Sequence, residues 1–347
     1  MTTGHPTVAA TPEHRSGVPC PPWATTLGGL SLLWLLATLS SVRHSIGASP
    51  EIDSLTVARA AVALPPVISA SLLAGVAVGL AAVALLAQRW ESLLGRAGLR
   101  YGVSTAAGLV LGAVVATPIA LGYEGIPSLL VVCAAVVAAG GVGGLLAGVR
   151  YREVVAAGVL GTLGVFLVSF GFGVFDGDLL ALFGAGETEA SVLAANAWVA
   201  FLSSLVAGLA AGLLAYVYLR RYGGGLRWPA YLAAGAAAGV LVLLAELVTR
   251  VGGAHLFRLV SSAAVADRTY LQYLGAARLN RALIVLFVGA LVAIFLLGRS
   301  LTGDEEPADE PADDGTSADA ATATEALAEA AGDQAAGPGR PAQSGAS

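Results

Sequence analysis

The amino-acid sequence predicts an all-α fold, a polytopic transmembrane helical bundle of about eight spans. Hydrophobic residues make up 56% of the chain, charged residues only 12%, and the mean hydropathy is +0.79. An ordinary soluble domain carries about a quarter charged residues. The apolar residues fall in long stretches, and a helix needs about 20 of them to cross the hydrocarbon core of a bilayer. Helices satisfy their own backbone hydrogen bonds in lipid, so helical spans are expected.

Eight apolar stretches form the predicted bundle, which occupies residues 23–299. The spans are expected near 23–42, 66–88, 101–121, 127–149, 154–175, 193–219, 229–249 and 282–298. Pro66, Pro127 and Pro229 stand at the start of three spans, where the missing N–H of proline costs nothing. Residues 250–281, between the last two spans, are predicted to form an outer amphipathic segment, because apolar side chains recur there at helical spacing opposite arginines.

Arginines gather in the loops after every second span, counted from span two. These loops hold Arg89, Arg96 and Arg100, then Arg150 and Arg152, then Arg220, Arg221 and Arg227, whereas the loops between them hold Glu124, Asp176, Asp178, Glu187 and Glu189. Basic loops favour the cytoplasmic side. The sequence therefore predicts a multi-pass protein of the cell membrane with both termini in the cytoplasm. Arg43, Arg59 and the arginines of 250–281 depart from this rule.

Both termini are predicted to be disordered and cytoplasmic, at residues 1–22 and 303–347. The C-terminal segment holds 11 of the 23 acidic residues but only one basic residue, Arg340, and almost no large apolar side chain. Such a composition cannot bury enough surface to offset the entropy lost on ordering. The acidic tail is therefore a candidate partner-binding segment.

Glycines four residues apart recur in five of the predicted spans. The candidate packing residues are Gly75, Gly79, Gly108, Gly112, Gly140, Gly144, Gly208, Gly212, Gly235 and Gly239. Glycines at this spacing lie on one helix face and let another helix approach closely. They are compatible with packing inside the bundle, with an oligomer interface, or with sliding surfaces in a transporter. Spans two and three, four and five, and six and seven also resemble one repeated hairpin, either by duplication or because the composition is biased.

The candidate polar or ligand site lies near the outer end of span seven. Glu246 is the one carboxylate set within an apolar run, and Arg250 follows one turn later on the same face. Charged groups within a span are costly and indicate function by default. The remaining candidates lie in or beside the outer segment: His255, Arg258, Asp267, Arg268, Arg278 and Arg281. Glu246 is either a proton or cation site or an ion pair that anchors the helix end, and the arginines either gather anions or contact lipid headgroups.

No pattern typical of an enzyme or a cofactor site occurs in the chain. HExxH, GxxxxGK[ST], GxSxG and CxxC are missing, and the four histidines are scattered. We therefore expect no enzymatic activity, no metal and no cofactor, and no nucleic-acid partner for a chain of net charge −5. The expected partners are the lipid bilayer and either a second copy of the chain or another protein.

Two functions fit these observations. The first is a permease-like carrier or channel component for a small solute, favoured by the glycine-rich spans and the intramembrane Glu246. The second is a non-catalytic membrane subunit or scaffold of a larger complex, in which the acidic tail recruits a partner. The sequence does not identify a solute.

Overall fold

The computed structural model describes residues 22–47, 53–89, 96–122, 127–223, 226–263 and 265–302. Every regular element within these ranges is a helix. The helices are α1 (Pro22–Gly47), α2 (Asp53–Arg89), α3 (Ala97–Gly122), α4 (Pro127–Ala147), α5 (Arg152–Val174), α6 (Asp176–Leu182), α7 (Glu189–Tyr222), α8 (Trp228–Ala263) and α9 (Val265–Thr302). The predicted all-α fold is confirmed. The termini predicted to be disordered, 1–22 and 303–347, lie outside the described residues except for Pro22.

Seven of these helices are long and apolar enough to cross a membrane. The candidate spans are Trp23–His44, Leu64–Arg89, Ala97–Leu121, Arg152–Val174, Glu189–Tyr222, Trp228–Gly252 and Gly275–Ser300. The remaining predicted span, the fourth (127–149), corresponds to α4, whose described apolar stretch, Val132–Ala147, is shorter. The structure thus indicates a membrane-spanning helical protein.

Three helices extend far beyond the predicted spans. Helix α2 begins at Asp53 instead of residue 66, so Pro66 lies inside the helix together with Pro65, and its predicted place at a helix start is wrong. Helix α8 continues to Ala263, and α9 already begins at Val265. The predicted outer segment 250–281 is therefore helical, apart from residue 264, which is not described. Its position relative to the bilayer stays a prediction.

Helices α2, α3 and α4 pack with their backbones in contact. A Cβ atom added to Gly75 or to Gly108 would collide with the carbonyl of Gly140, and one added to Gly112 would lie 2.7 Å from the Cα of Val137. Side chains at these positions would force the helices apart. Gly79 and Gly144 lie equally close to neighbouring helices. With α1, which packs on α2, these helices form the first helix group, α1 to α4.

Helices α7, α8 and α9 repeat this arrangement. A Cβ atom on Gly212 would lie 2.6 Å from the carbonyl oxygen of Gly289, and one on Gly235 would collide with the same carbonyl. A Cβ atom on Gly208 would lie 2.8 Å from the Cβ of Val288, and one on Gly239 would collide with Leu286. Helix α5 packs against α7 and α8, and these four helices form the second helix group.

The two groups are built in the same way. In each, the last helix presents a central glycine, Gly140 or Gly289, whose carbonyl faces a glycine on each of two preceding helices. This grouping differs from the predicted hairpins, because α4 and α5 belong to different groups and share few contacts. Whether the hairpins arose by duplication stays a prediction.

Larger side chains fill the boundary between the two groups. Helix α2 contributes Leu64, Ile68 and Leu72 to a buried cluster that also contains Leu241 and Ala245 of α8. Helix α4 packs against α8 as well, and α1 approaches α5. The boundary is thus an apolar seam formed mainly by side chains, with one close approach at Gly252 of α8, where an added Cβ would lie 2.6 Å from the Cβ of Ala135 on α4.

Candidate functional site

A cavity of about 340 Å³ lies where the two helix groups meet. Its walls come from α1 and α2 of the first group and from α5, α8 and α9 of the second. We call it the inter-group cavity. All of its lining residues fall within candidate spans, towards the ends of α1, α5 and α8 and the starts of the spans in α2 and α9. Under the predicted topology this end of the bundle is the outer one.

Three charged side chains line the cavity: Glu246 of α8 and Arg278 and Arg281 of α9. Glu246 is buried, with 6% of its surface exposed. One carboxylate oxygen lies 3.2 Å from Nε of Arg250, and the other lies 3.2 Å from Nε of Arg278. Both oxygens of this carboxylate are therefore neutralised by guanidinium groups, as a buried charge requires.

Arg250 and Arg278 connect α8 to α9. Arg250 donates a hydrogen bond from Nε to Glu246 and another from Nη2 to the carbonyl of Gly275, over 3.1 Å. Nε of Arg278 makes no hydrogen bond within the described residues, so its contact with Glu246 is electrostatic. Arg250 follows Glu246 by one turn on the same helix, whereas Arg278 comes from the facing helix. The carboxylate thus sets the register of the two helices at this end.

Arg281 has a different environment. Its Nη2 donates a short hydrogen bond to Oγ of Ser169 on α5. The Ser169 hydroxyl in turn donates to the carbonyl of Val165 in its own helix, over 2.5 Å. Among the residues that the structure describes, Arg281 forms no ion pair. A partly buried guanidinium therefore faces the cavity with a neutral hydroxyl as its protein partner.

Aromatic rings also line the cavity. Trp34 of α1 stacks on Phe166 of α5, with ring centroids 5.6 Å apart and ring planes at 15°. Phe170, one turn further along α5, meets Trp34 edge to face at 6.4 Å and is 62% exposed. These contacts join the two helix groups. The charged wall of the cavity therefore belongs to the second group, and the aromatic cluster connects that group to α1 across the seam.

Two hydroxyl groups that line the cavity already donate hydrogen bonds to backbone carbonyls. Thr38 donates to the carbonyl of Trp34, and Ser69 donates to that of Pro65, each over 2.9 Å within its own helix. Such bonds are usual for hydroxyls in membrane helices. The arginines carry most of the hydrogen-bond donors of the cavity, since a guanidinium has five N–H groups.

The structure brings four of the eight predicted site residues together: Glu246, Arg250, Arg278 and Arg281. His255, Arg258, Asp267 and Arg268 belong to α8 and α9, but their side chains lie outside the part of the chain that is described. Sequence reasoning did not place Trp34, Phe166 or Phe170 at the site. A signal existed for Trp34, which lies deep in its span instead of at the headgroup level, where tryptophan is enriched.

Within the described ranges, no cluster of three or more histidine, cysteine, aspartate or glutamate residues is placed to hold a metal ion. The predicted packing glycines all lie at contacts between helices, away from the cavity lining. Comparisons with protein-family models, curated proteins and solved structures find no match to this chain.

Proposed function

We propose that this membrane protein is a permease-like carrier or channel component, and that a small solute binds in the inter-group cavity. The observation that carries the proposal is the position of the cavity. It lies within the candidate spans, at the boundary between two helix groups, and contains charged side chains that a purely structural bundle would avoid. Its volume of about 340 Å³ falls at the lower end of the range for small-molecule pockets, roughly 300–1,000 Å³.

The packing of the two groups supports movement between them. Backbone contacts at Gly140 and Gly289 hold each group together, whereas the seam is formed by side chains. Many carriers expose a fixed site to the two sides by rocking one group of helices against another. The inter-group cavity lies where such a motion would open and close access.

The proposed location is the cell membrane, with both termini in the cytoplasm and the cavity facing outward. The arginine loops after α2, α4 and α7 support this orientation. A role without enzymatic activity is part of the same proposal. The alternative of a non-catalytic scaffold depends on the acidic tail, which lies outside the described residues, and it stays a prediction.

Cysteine accessibility tests whether the cavity lies on a path through the membrane. In a background with Cys20→Ser and Cys133→Ala, a Thr38→Cys variant places a thiol at the cavity wall. We expect it to react with a charged, membrane-impermeant thiol reagent from outside whole cells and also, at a lower rate, in inside-out vesicles. A fixed site reached from both sides would behave in this way.

The matched control is Leu36→Cys, on the same helix and 66% exposed on the surface of the bundle. A thiol facing lipid should react from neither side, because it stays protonated in hydrocarbon. If Thr38→Cys reacts from one side only, or as poorly as Leu36→Cys, the proposed path through this cavity is wrong.

A further inference from the structure

The geometry points to an oxyanion as the ligand of the inter-group cavity: a phosphate or carboxylate group attached to a small apolar body, bound by Arg281 and Arg278. This inference rests on the proposed function in placing the solute in this cavity. It adds the charge and the shape of the solute, and it assigns Glu246 as a positioning residue that holds Arg278.

The charges of the cavity are unbalanced. Its lining contains one carboxylate and two guanidinium groups, and Arg250, which pairs with Glu246, adds a further positive charge. Glu246 compensates one arginine only. A positive charge within a candidate span is costly unless a counter-charge accompanies it. An anionic group of the ligand would supply that counter-charge.

The charge of Arg281 is not neutralised by its described side-chain partner. Among the described residues its side-chain partner is the hydroxyl of Ser169, which occupies one of the two terminal nitrogens. A planar guanidinium presents parallel N–H groups that match the two oxygens of a carboxylate or phosphate. The bond to Ser169 fixes the position of this group at the cavity wall without neutralising it.

The pairing of Glu246 excludes a cationic ligand. A cation would need the carboxylate of Glu246, but each of its oxygens already lies 3.2 Å from an arginine nitrogen. To reach the carboxylate, a cation would have to displace the guanidinium groups of Arg250 and Arg278. The structure therefore favours anion binding by the arginines over cation binding at Glu246.

The aromatic residues of the cavity indicate an apolar part of the ligand. Trp34, Phe166 and Phe170 line the same cavity as the arginines, and this cavity is larger than an inorganic anion requires. A small solvated anion gains little from such rings, whereas they bury an apolar chain or ring well. The same chemistry fits a free organic anion and the headgroup region of an anionic lipid, because Phe170 is exposed at the bundle surface.

A binding assay on the full-length protein, purified and reconstituted into phosphatidylcholine nanodiscs, tests this inference. The probes are hexyl phosphate, hexanoate, hexylammonium and inorganic phosphate, with affinity measured by calorimetry at fixed ionic strength. We expect hexyl phosphate to bind more tightly than inorganic phosphate, and hexylammonium not to bind. Arg281→Gln should weaken hexyl phosphate binding by about tenfold or more, the usual worth of a charged hydrogen bond.

Two further variants keep the test decisive. Arg299→Gln removes an exposed arginine near the end of α9, outside the cavity, and should leave binding unchanged. Arg281→Lys keeps the charge and should retain more affinity than Arg281→Gln. Equal binding of hexylammonium and hexyl phosphate, or equal loss in the Arg281 and Arg299 variants, would overturn the inference.

Lipid competition separates the two sources of the anion. If nanodiscs containing phosphatidylglycerol abolish hexyl phosphate binding, the ligand is a lipid headgroup; if they do not, it is a free organic anion. Anion binding without two-sided labelling of Thr38→Cys would disprove the carrier but keep this inference. Two-sided labelling of Thr38→Cys without a preference for anions would disprove this inference but keep the carrier.

Discussion

At the scale of single residues, Glu246 decides whether the arginines of α8 and α9 can lie within the bundle. A buried carboxylate between two guanidinium groups repays part of the desolvation cost of all three charges. Removing one member of such a cluster costs more than the cluster itself contributes, because the remaining charges lose their compensation. The stability of the protein should therefore fall when one charged side chain of this cluster is replaced by an uncharged one.

We predict that Glu246→Gln lowers the thermal stability of the purified protein. A fully buried ion pair costs about 3–5 kcal/mol when one partner is removed. The loss at Glu246 should be smaller, roughly 1–3 kcal/mol, because Arg250 is half exposed and its charge is screened. Thermal unfolding in detergent, followed by the fluorescence of a thiol-reactive dye at Cys133, measures the change.

A double variant provides the control for this prediction. Glu246→Gln together with Arg278→Gln removes the uncompensated charge, so part of the lost stability should return. If the double variant is as unstable as the sum of the two single variants, Glu246 and Arg278 are not energetically coupled, and Glu246 does not compensate the charge of Arg278.

The contact between Glu246 and Arg250 could be predicted from the sequence, since a four-residue spacing places both on one helix face. The contact with Arg278 could not, because it depends on the register of α9 against α8. The same holds for Ser169 and Arg281, which are 112 positions apart. Local spacing identifies the charged residues of the site, while packing between helices decides which of them meet.

At the scale of helices, glycine determines how closely the spans approach. The sequence indicated which glycines share a helix face, but Gly289, which meets both α7 and α8, has no partner at a four-residue spacing. Helix ends were less predictable. Hydropathy marks where a helix leaves the apolar region, whereas the helical hydrogen bonds of α2, α8 and α9 continue beyond it.

We predict opposite effects for two Gly→Ala substitutions on α3. At Gly108 the new methyl group would collide with the carbonyl of Gly140, so the thermal stability should fall, by about 1–3 kcal/mol if the cost resembles that of overpacked cores. At Gly102 no atom lies within 4 Å, so stability should be unchanged or slightly higher. Thermal unfolding of both variants under one condition checks this.

The pair Gly289→Ala and Gly298→Ala repeats the comparison on α9, where only the first position faces a neighbouring backbone. Equal melting temperatures for Gly108→Ala and Gly102→Ala would show that the backbone contact within the first helix group does not limit stability.

At the scale of the whole molecule, the helices form two groups with matching internal contacts. We predict that the C-terminus lies in the cytoplasm, because the arginine loops and the eight spans predicted from the sequence, α4 included, place it there. An epitope after Ser347 should resist protease in intact cells and be removed in inside-out vesicles. An epitope inserted at Gly184, between α6 and α7, should show the reverse.

Digestion of both epitopes from the same side would contradict the eight-span topology. Digestion of the C-terminal epitope in intact cells would invert the orientation and place the inter-group cavity on the cytoplasmic side. The charge pattern of the short loops predicts the orientation; the division into two groups could not be predicted, because it depends on which spans pack side by side.

The polar contacts of the charged cavity residues all lie within the second group. Glu246 binds Arg250 and Arg278, and Arg281 binds Ser169. The contacts described across the cavity are aromatic and aliphatic. Apolar contacts have no preferred direction, so one group can shift against the other without breaking a hydrogen bond at the cavity. The charged wall would then travel as a rigid piece, and the bound anion with it.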